Sequence, residues 1–280
     1  MSVYGKVILD SVSPQGDRLT TVEARFHRFV LAEFNTHRAL SKNSASSRAI
    51  PVEKQINKVA SDPAFPFVWA SEQPGMQGGV ELDGEDLVSA HMLFRNIHDY
   101  TVDLVDAYLD NHPNKSTRLH KSLLNRLLEP FMWHTVIVSG TQDGWNNFFN
   151  LRCSPLAQPE IRAVADAIKE AYDASIPTEL HLGQWHLPYL REDDEWSQFD
   201  DVYEAKRQVS VARCARVSYL THDGVRDINE DVAMYQRLIT ADPPHSSPME
   251  HVATPCHPFG HAYHKGNFRG WHQLRHYEFG

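Results

Sequence analysis

Between residues 19 and 29 apolar and polar side chains alternate. Val22, Ala24 and Phe26 share one face, and Glu23, Arg25 and His27 share the other. A period of two predicts a half-buried strand. Residues 3–12 read as a second strand, set off by the turn signal Ser13-Pro14-Gln15-Gly16-Asp17. A helix is expected over residues 29–40. Residues 51–84 carry Pro63, Pro66, Pro74, Gly75, Gly78 and Gly79 and read as one long ordered loop. Residues 85–109 show the apolar spacing of a helix, with Leu87, Val88, Leu93, Ile97, Val102, Leu104, Val105 and Tyr108. A second helix spans residues 116–128, ended by Pro130. The pattern at residues 131–138 fits strand and helix equally. Residues 159–172 predict a helix with Pro159 in its first turn and Ile161, Val164, Ala165 and Ile168 in one stripe. The acidic stretch 191–201 reads as a surface connector, residues 209–220 as a strand and residues 229–239 as a helix. From Ala241 the chain is dense in His, Pro and Gly, and it holds no solenoid-type repeat.

With 280 residues there is ample apolar content for a core. The net charge of −9, from 27 basic and 36 acidic residues, argues against broad binding to nucleic acid. It leaves room for an anionic small molecule, because a local arginine cluster can sit in an acidic surface. Cys153, Cys214 and Cys256 lack paired spacing, which suits a reducing interior. No apolar stretch approaches the roughly 18 residues of a membrane span, and residues 1–10 lack a signal-peptide core. A soluble, cytoplasmic protein is the expectation.

Three segments carry candidate chemistry. Residues 36–48 combine Arg38 and Arg48 with His37, Asn43, Thr36, Ser41, Ser44, Ser46 and Ser47. Guanidinium forks match phosphate oxygens and hydroxyls fill the remaining lone pairs, so the segment reads as an anion-binding floor. The plain alternative is a polar turn whose serines cap backbone amides. In the second segment, residues 146–161, Asn147 and Arg152 are candidates to face a cleft at the mouth of the following helix; otherwise Arg152 pairs with Glu160 on the surface. In the third, residues 245–251, Ser247 suits an N-cap, Pro248 the first helical position and Glu250 the third, a capping box. A helix N-terminus is also a place where a diphosphate binds.

Together these segments resemble the flavin-dependent thymidylate synthase family (ThyX). Its signature has the form R-H-R-x-x-S-x-N-E-x-S-x-R. The chain reads Thr36-His37-Arg38-x-x-Ser41-x-Asn43-Ser44-x-Ser46-x-Arg48, six of eight fixed positions. Asn125-Arg126-Leu127-Leu128-Glu129-Pro130 resembles the family's A-R-x-x-L-P element. Asn147 to Arg152, with Ala157 to Ile161, resembles its N-F-L-x-L-R and A-Q-x-E-I block. Residues 211–219 and His245-x-Ser247-Pro248-x-Glu250-His251 resemble segments that open the family's chain, yet here they come last, as in a circular permutation.

The resemblance implies one catalytic domain over residues 1–280. Its parts would be a signature segment (1–60), a helical segment (85–175) and a permuted segment (205–280). The fold would be α+β, a twisted antiparallel or mixed sheet flanked by helices. It implies a homo-oligomer, a tetramer with FAD bound between subunits. The reaction would convert dUMP to dTMP, with methylenetetrahydrofolate as carbon donor and NADPH as reductant. By position, Thr36, His37, Arg38 and Asn43 would lie on the FAD side, His37 and Arg38 at its phosphates. Ser247, Glu250 and Asn147 would hold other flavin groups, with His245 near the ring. Ser44, Ala45, Ser46, Ser47 and Arg48 would cradle the nucleotide phosphate, assisted by Arg126, with Glu33 also on the substrate. Arg152 would act on the pyrimidine carbonyl as the catalytic cation.

Three departures stand out: Thr36 for the first signature Arg, Ser44 for its Glu, and Glu33 where the family has Gln. Losing the Arg at Thr36 and gaining Glu33 near a phosphate removes positive charge. The set Arg269, Trp271, Gln273, Arg275 and His276 loosely resembles the family's Q-W-F-R-H stretch and is a candidate to restore a guanidinium. A hydroxymethylating or modified-base variant and a non-catalytic nucleotide-binding relative remain open. So does a metal-dependent hydrolase built on Cys256, His257, His261 and His264, although Pro258 and Gly260 break helical ligand spacing. The resemblance itself implies no metal. Met92, Phe94, His91 and His98 read as packing and surface residues, and Trp69 as a packing anchor rather than a stacking platform.

Overall fold

The computed structural model describes residues 3–221, 224, 227–260 and 266–279. Its centre is a five-stranded sheet in the order β3-β4-β2-β1-β5. The strands are β1 (Tyr4–Val12), β2 (Arg18–His27), β3 (Ser41–Ser44), β4 (Trp133–Thr141) and β5 (Thr178–Glu179). All neighbours pair antiparallel except β1 and β5, which run parallel. The alternation read from residues 19–29 sets the two faces. Val22, Ala24 and Phe26 join Val136 and Val138 in the main core. Against that face pack α5 (Gln142–Arg152) and α6 (Pro159–Ala174), through Trp145, Phe148, Ile161, Val164 and Ile168. Helix α6 crosses β1 so closely that a Cβ on Gly5 would lie 2.6 Å from the Ile168 backbone, which only glycine allows.

The expected mixed sheet flanked by helices is present, with several local corrections. The helix expected over residues 29–40 is cut short. After a 3-10 turn at Arg28–Val30, α1 (Leu31–Asn35) ends and the chain re-enters the sheet as β3. The loop of residues 51–84 contains α2 (Val52–Ser61), whose Val52, Ile56 and Val59 pack on Val105, Leu109, Leu124 and Leu128. The latter belong to α3 (Gly84–Asn111) and α4 (Lys121–Leu128), so the helix expected from residue 116 starts later. The ambiguous residues 131–138 lie mostly in β4. Within α3, His98 is buried against the Val59 carbonyl (3.1 Å), and His91 and Phe94 pack edge-on to Trp69, as packing residues should.

The strand expected over residues 209–220 is the latter half of a helix, α7 (Val202–Arg216). Every side chain from Gln208 to Arg216 is buried, so no exposed face breaks the run into a helical stripe. Its interior cations are matched. Arg213 meets Asp194 at 2.7 Å and Asp231 at 2.9 Å, and Arg216 meets Asp231 at 2.7 Å. Asp231 comes from α8 (Ile228–Thr240) and Asp194 from the supposed surface connector, which is therefore anchored in the interior.

The last segment holds a 3-10 turn, Ser247–His251, then β6 (Ala253–Pro255), β7 (Trp271–Gln273) and α9 (Leu274–Phe279). Ser247 does not cap a helix; it is the first residue of the turn, and no side chain caps it. A buried polar chain ties this turn to the sheet. Ser11 Oγ and Thr21 Oγ1 bond the two ring nitrogens of His186, each at 2.8 Å. Thr21 contacts Ser139 Oγ at 2.5 Å, and Ser139 contacts His251 Nδ1 at 2.9 Å. Burial pushes His186 and His251 down to about 3, and His134 to about 3 by burial and the neighbouring Arg28.

All three rings are therefore neutral in the fold, while the unfolded chain takes up protons below about pH 6.5. Stability should be complete above that pH and decline toward pH 3, by roughly 4 kcal/mol per unit if all three act together. Urea unfolding at stepped pH checks this, and His251→Asn should flatten the dependence by about a third.

Candidate active site

Strand β3 lies at the sheet edge, pairing Ser41 with Ser139 and Asn43 with Ile137. Along residues 41–47 burial alternates: Ser41, Asn43, Ala45 and Ser47 are buried, and Lys42, Ser44 and Ser46 are half-buried. The backbone beyond the strand is pinned from four directions. Ala45 N–H donates to Thr135 O (2.9 Å) and Ser46 N–H to Ser218 O (3.0 Å). The fully buried Asn125 amide donates to Ser47 O (2.8 Å) and Ile50 O (2.9 Å). Lys121 Nζ donates to Ala49 O at 3.0 Å.

These constraints shape a cavity of about 330 Å³. Asn43, Ser44, Ala45, Ser46, Ser47 and Arg48 line it, with Arg126 from α4 and Ser247 from the 3-10 turn. The segments singled out in the sequence thus converge. Two cations that sequence reasoning missed, Arg28 and Lys42, complete the wall with Ser218 and Leu31. Four cationic side chains around one cavity, in a chain of net charge −9, form a local anion trap.

The cations are unequal. Arg28 is held by Glu129 Oε1 (3.0 Å) and by His134 Nδ1 (2.8 Å). Ser47 Oγ also donates to Glu129 Oε1, at 2.7 Å, so its hydroxyl braces the wall. Lys42 donates to His37 O (2.6 Å) and Leu40 O (3.1 Å). Burial pulls its ammonium down to about 8, against an opposing pull from Glu250. Arg48 and Arg126 are exposed at the mouth.

Arg152 does not line this cavity; it heads a second cluster. Its Nε donates to His37 Nε2 at 2.9 Å, and Nη2 donates to Thr36 Oγ1 (3.1 Å) and Glu33 O (3.2 Å). The surface pairing with Glu160 does not form, since Glu160 is buried and accepts from Phe67 N and Gln158. His37 is buried edge-on against Phe148. Burial, then the charges of Arg152 and Lys42, push its ring down to about 4, so it accepts as a neutral group. The Glu33 Oε2 and Asn43 Oδ1 atoms are buried with no partner.

The remaining candidates are spread around these two centres. Arg38, Asn147 and His245 are exposed. Glu250 pairs with Arg275, which with Pro244, Ser246, His276 and Phe279 lines a separate cavity. Arg275 therefore does not replace the lost signature arginine; Arg28 and Lys42 supply the charge in the phosphate-type cavity. Trp271 is fully buried, its Nε1 on Asp17 O at 3.1 Å, and Gln273 donates to Glu250 O at 2.9 Å, both in structural positions. Among the described residues no three His, Cys, Asp or Glu side chains group as a metal site; His261 and His264 lie outside them. Among the described residues no helix is long and apolar enough to cross a membrane.

The sequence model of the family described as "Thymidylate synthase complementing protein" (Thy1) matches residues 19–178, which include both centres apart from Ser218 and Ser247. The chain belongs to that family. Similar solved folds include the UMP/dUMP methylase PolB from Streptomyces cacaoi bound with 5-Br UMP. That pair shares 14% identity over 61% of this chain and 88% of the other, with a TM-score of 0.48. The same methylase with 5-Br dUMP gives 16% identity over 55% and 66%, at 0.43. The flavin-dependent thymidylate synthase ThyX of Helicobacter pylori, complexed with FAD and dUMP, gives 17% over 55% and 67%, at 0.38. No curated protein matches the chain. The Thy1 match ends before α7, so the segments resembling the start of the family chain lie beyond it.

For this Thy1 chain, anion affinity should follow the Lys42 ammonium. Binding of sulfate, whose charge is constant in this range, should weaken as pH rises through about 8 and lose that step in Lys42→Met. Arg48→Ala should weaken sulfate binding about 10- to 100-fold, the worth of one charge-assisted contact. Calorimetric titration measures both.

Proposed function

We propose that this chain is a flavin-dependent enzyme of deoxypyrimidine nucleotides. It would transfer a one-carbon unit from methylenetetrahydrofolate to C5 of a deoxypyrimidine monophosphate, most simply dUMP to dTMP, with FAD as cofactor and NADPH as reductant. The observation that carries the reading is the four-cation, serine-lined cavity at Arg28, Lys42, Arg48 and Arg126, built on the family signature segment. Its size and charge suit a phosphate monoester.

The residues present fit FAD. Arg38 offers an exposed guanidinium for a diphosphate, Asn43 holds an unpartnered buried oxygen that would accept from a flavin hydroxyl, and Ser247, Glu250, Asn147 and His245 supply further polar groups. Bound flavin, once reduced, supplies the hydride that completes the methyl group. Arg152 would polarise the pyrimidine carbonyl. Its Nε and Nη2 are committed to His37, Thr36 and Glu33, so Nη1 is the end left for substrate. His37 is then a positioning residue that fixes the direction of the Arg152 fork.

The two centres are separate in one chain, which supports a shared site in a homo-oligomer, a tetramer by resemblance. Arg48 of one subunit would serve the same nucleotide as Arg152 of another. The chain order also reads as permuted: the His251–Ser139 contact supports the last segment packing as the family's first one would.

Incubation with FAD, NADPH, methylenetetrahydrofolate and either dUMP or dCMP, followed by product mass, tests the reaction. A methylated product from dUMP is expected; no flavin uptake and no tritium release from C5-labelled dUMP would end the reading. His37→Ala should lower kcat by about 10- to 100-fold with little change in KM. Mixing the inactive variants Arg48→Ala and Arg152→Ala should restore roughly a quarter of wild-type activity if sites are shared, and none if each chain is self-sufficient.

A further inference from the structure

Next to the phosphate-type cavity lies a second, partly open space of about 320 Å³. Ala45 and Ser47 line both. Its walls come from the sheet, from α2 and from the 3-10 turn before β4. Tyr4, Phe131 and Trp133 give it aromatic sides. The Tyr4 hydroxyl is already committed to Glu23 Oε1 at 2.7 Å, so these walls act mainly through their rings.

Several polar groups at this space have no partner among the described residues. The Gln55 side chain, 4% exposed in the residue as a whole, makes no hydrogen bond there. Trp133 Nε1 and His134 Nε2 are fully buried with no partner, and an unpaired buried polar group costs about 1–3 kcal/mol, so the space calls for something that pairs with it. Lys58 lines the same space, and among the described residues its ammonium has neither a hydrogen bond nor an ion pair. The charges acting on it are cationic, from Arg25 and Lys54, and together with burial they lower its pKa. Asp62, the nearby carboxylate, is taken by Arg25 at 2.7 Å, and that guanidinium also lies 4.8 Å from the Trp133 ring. The space therefore holds aromatic walls, unpartnered polar groups and, at its exposed edge, a lysine ammonium with no acidic partner among the described residues.

We propose that this space is a second ligand site, distinct from the phosphate-type cavity, that takes a planar aromatic ring bearing one carboxylate. The ring would lie among Tyr4, Phe131 and Trp133, the anionic group would meet Lys58, and Gln55 would bond the ring edge. Because Ser47 and Ala45 form the partition, an occupant presses on the back of the anion-binding segment. Occupancy of this site and anion binding in front should therefore be thermodynamically coupled.

Quinoline-2-carboxylate is a suitable probe, since it carries the ring and the charge but no phosphate. Calorimetric titration of the full-length protein should give one saturable equivalent. Lys58→Gln and Gln55→Leu should each weaken it at least about tenfold. Arg48→Ala, which acts on the cavity in front, should leave its affinity unchanged. Thermal melts identify any variant that fails to fold. Lys58 is exposed on α2, so Lys58→Gln keeps the test decisive if Gln55→Leu does not fold. Absence of saturable binding, loss of binding in Arg48→Ala, or unchanged affinity in Lys58→Gln would overturn the proposal.

Discussion

The candidate site depends on how residues 44–50 are held. Four cations around one small cavity repel one another, and among the described residues Glu129 braces them directly, bonding Arg28 and Ser47 and lying 3.9 Å from Arg126. A flexible segment would relieve that repulsion by letting Arg48 and Lys42 swing into solvent. Here the backbone cannot yield, because Asn125 grips the carbonyls of Ser47 and Ile50 from a fully buried position. Each of those bonds, if broken, leaves a buried polar group unpaired at a cost of about 1–3 kcal/mol. The strain of gathered charge is thus met by buried amide contacts, and the cavity keeps its potential for an anion rather than dissipating it.

That arrangement also explains the chemistry of Lys42. A half-buried ammonium whose bonds, among the described residues, go to the carbonyls of His37 and Leu40 loses hydration without gaining a full counter-charge. Its pKa falls to about 8, so it retains its proton near neutrality but is sensitive to whatever enters the cavity. The same side chain bonds the backbone of His37, whose neutral ring receives Arg152. The two centres are therefore mechanically joined through five residues of backbone, although they share no cavity within one chain.

What the sequence made legible was the chemistry carried by consecutive residues. Ser44 to Arg48 and Arg126 could be assigned to one anion site because the signature spacing survives, whereas Asn43 and Ser247, expected on the FAD side, line the same cavity. Arg28 was hidden: it opens the 3-10 turn that follows a strand, and only the fold brings it to Glu129 and His134. Arg275, a candidate on motif position alone, pairs in the fold with Glu250 and lines a different cavity. Helix α7 was read as a strand because burial on all sides erased the helical period. Helix α2 was lost in a stretch whose proline and glycine content dominates its reading, although Val52, Ile56 and Val59 carry a three-to-four spacing. Local pattern reports one face of an element, and it fails where both faces or a distant partner decide.

Chain order is the least consequential variable for such a site. The turn holding Ser247 is brought to β3 by contacts that do not depend on which segment was synthesised first. His251 bonds Ser139, Gln273 bonds Glu250 O, and the buried network from Ser139 through Thr21 to His186 carries the connection across three strands. Each of these is a short-range polar contact in a dry interior, where an unmet partner is costly whatever the connectivity. A permutation that preserves those pairings preserves the cavity wall. On the proposed permutation, the family signature keeps its cavity wall although the segment that completes it comes last in the chain.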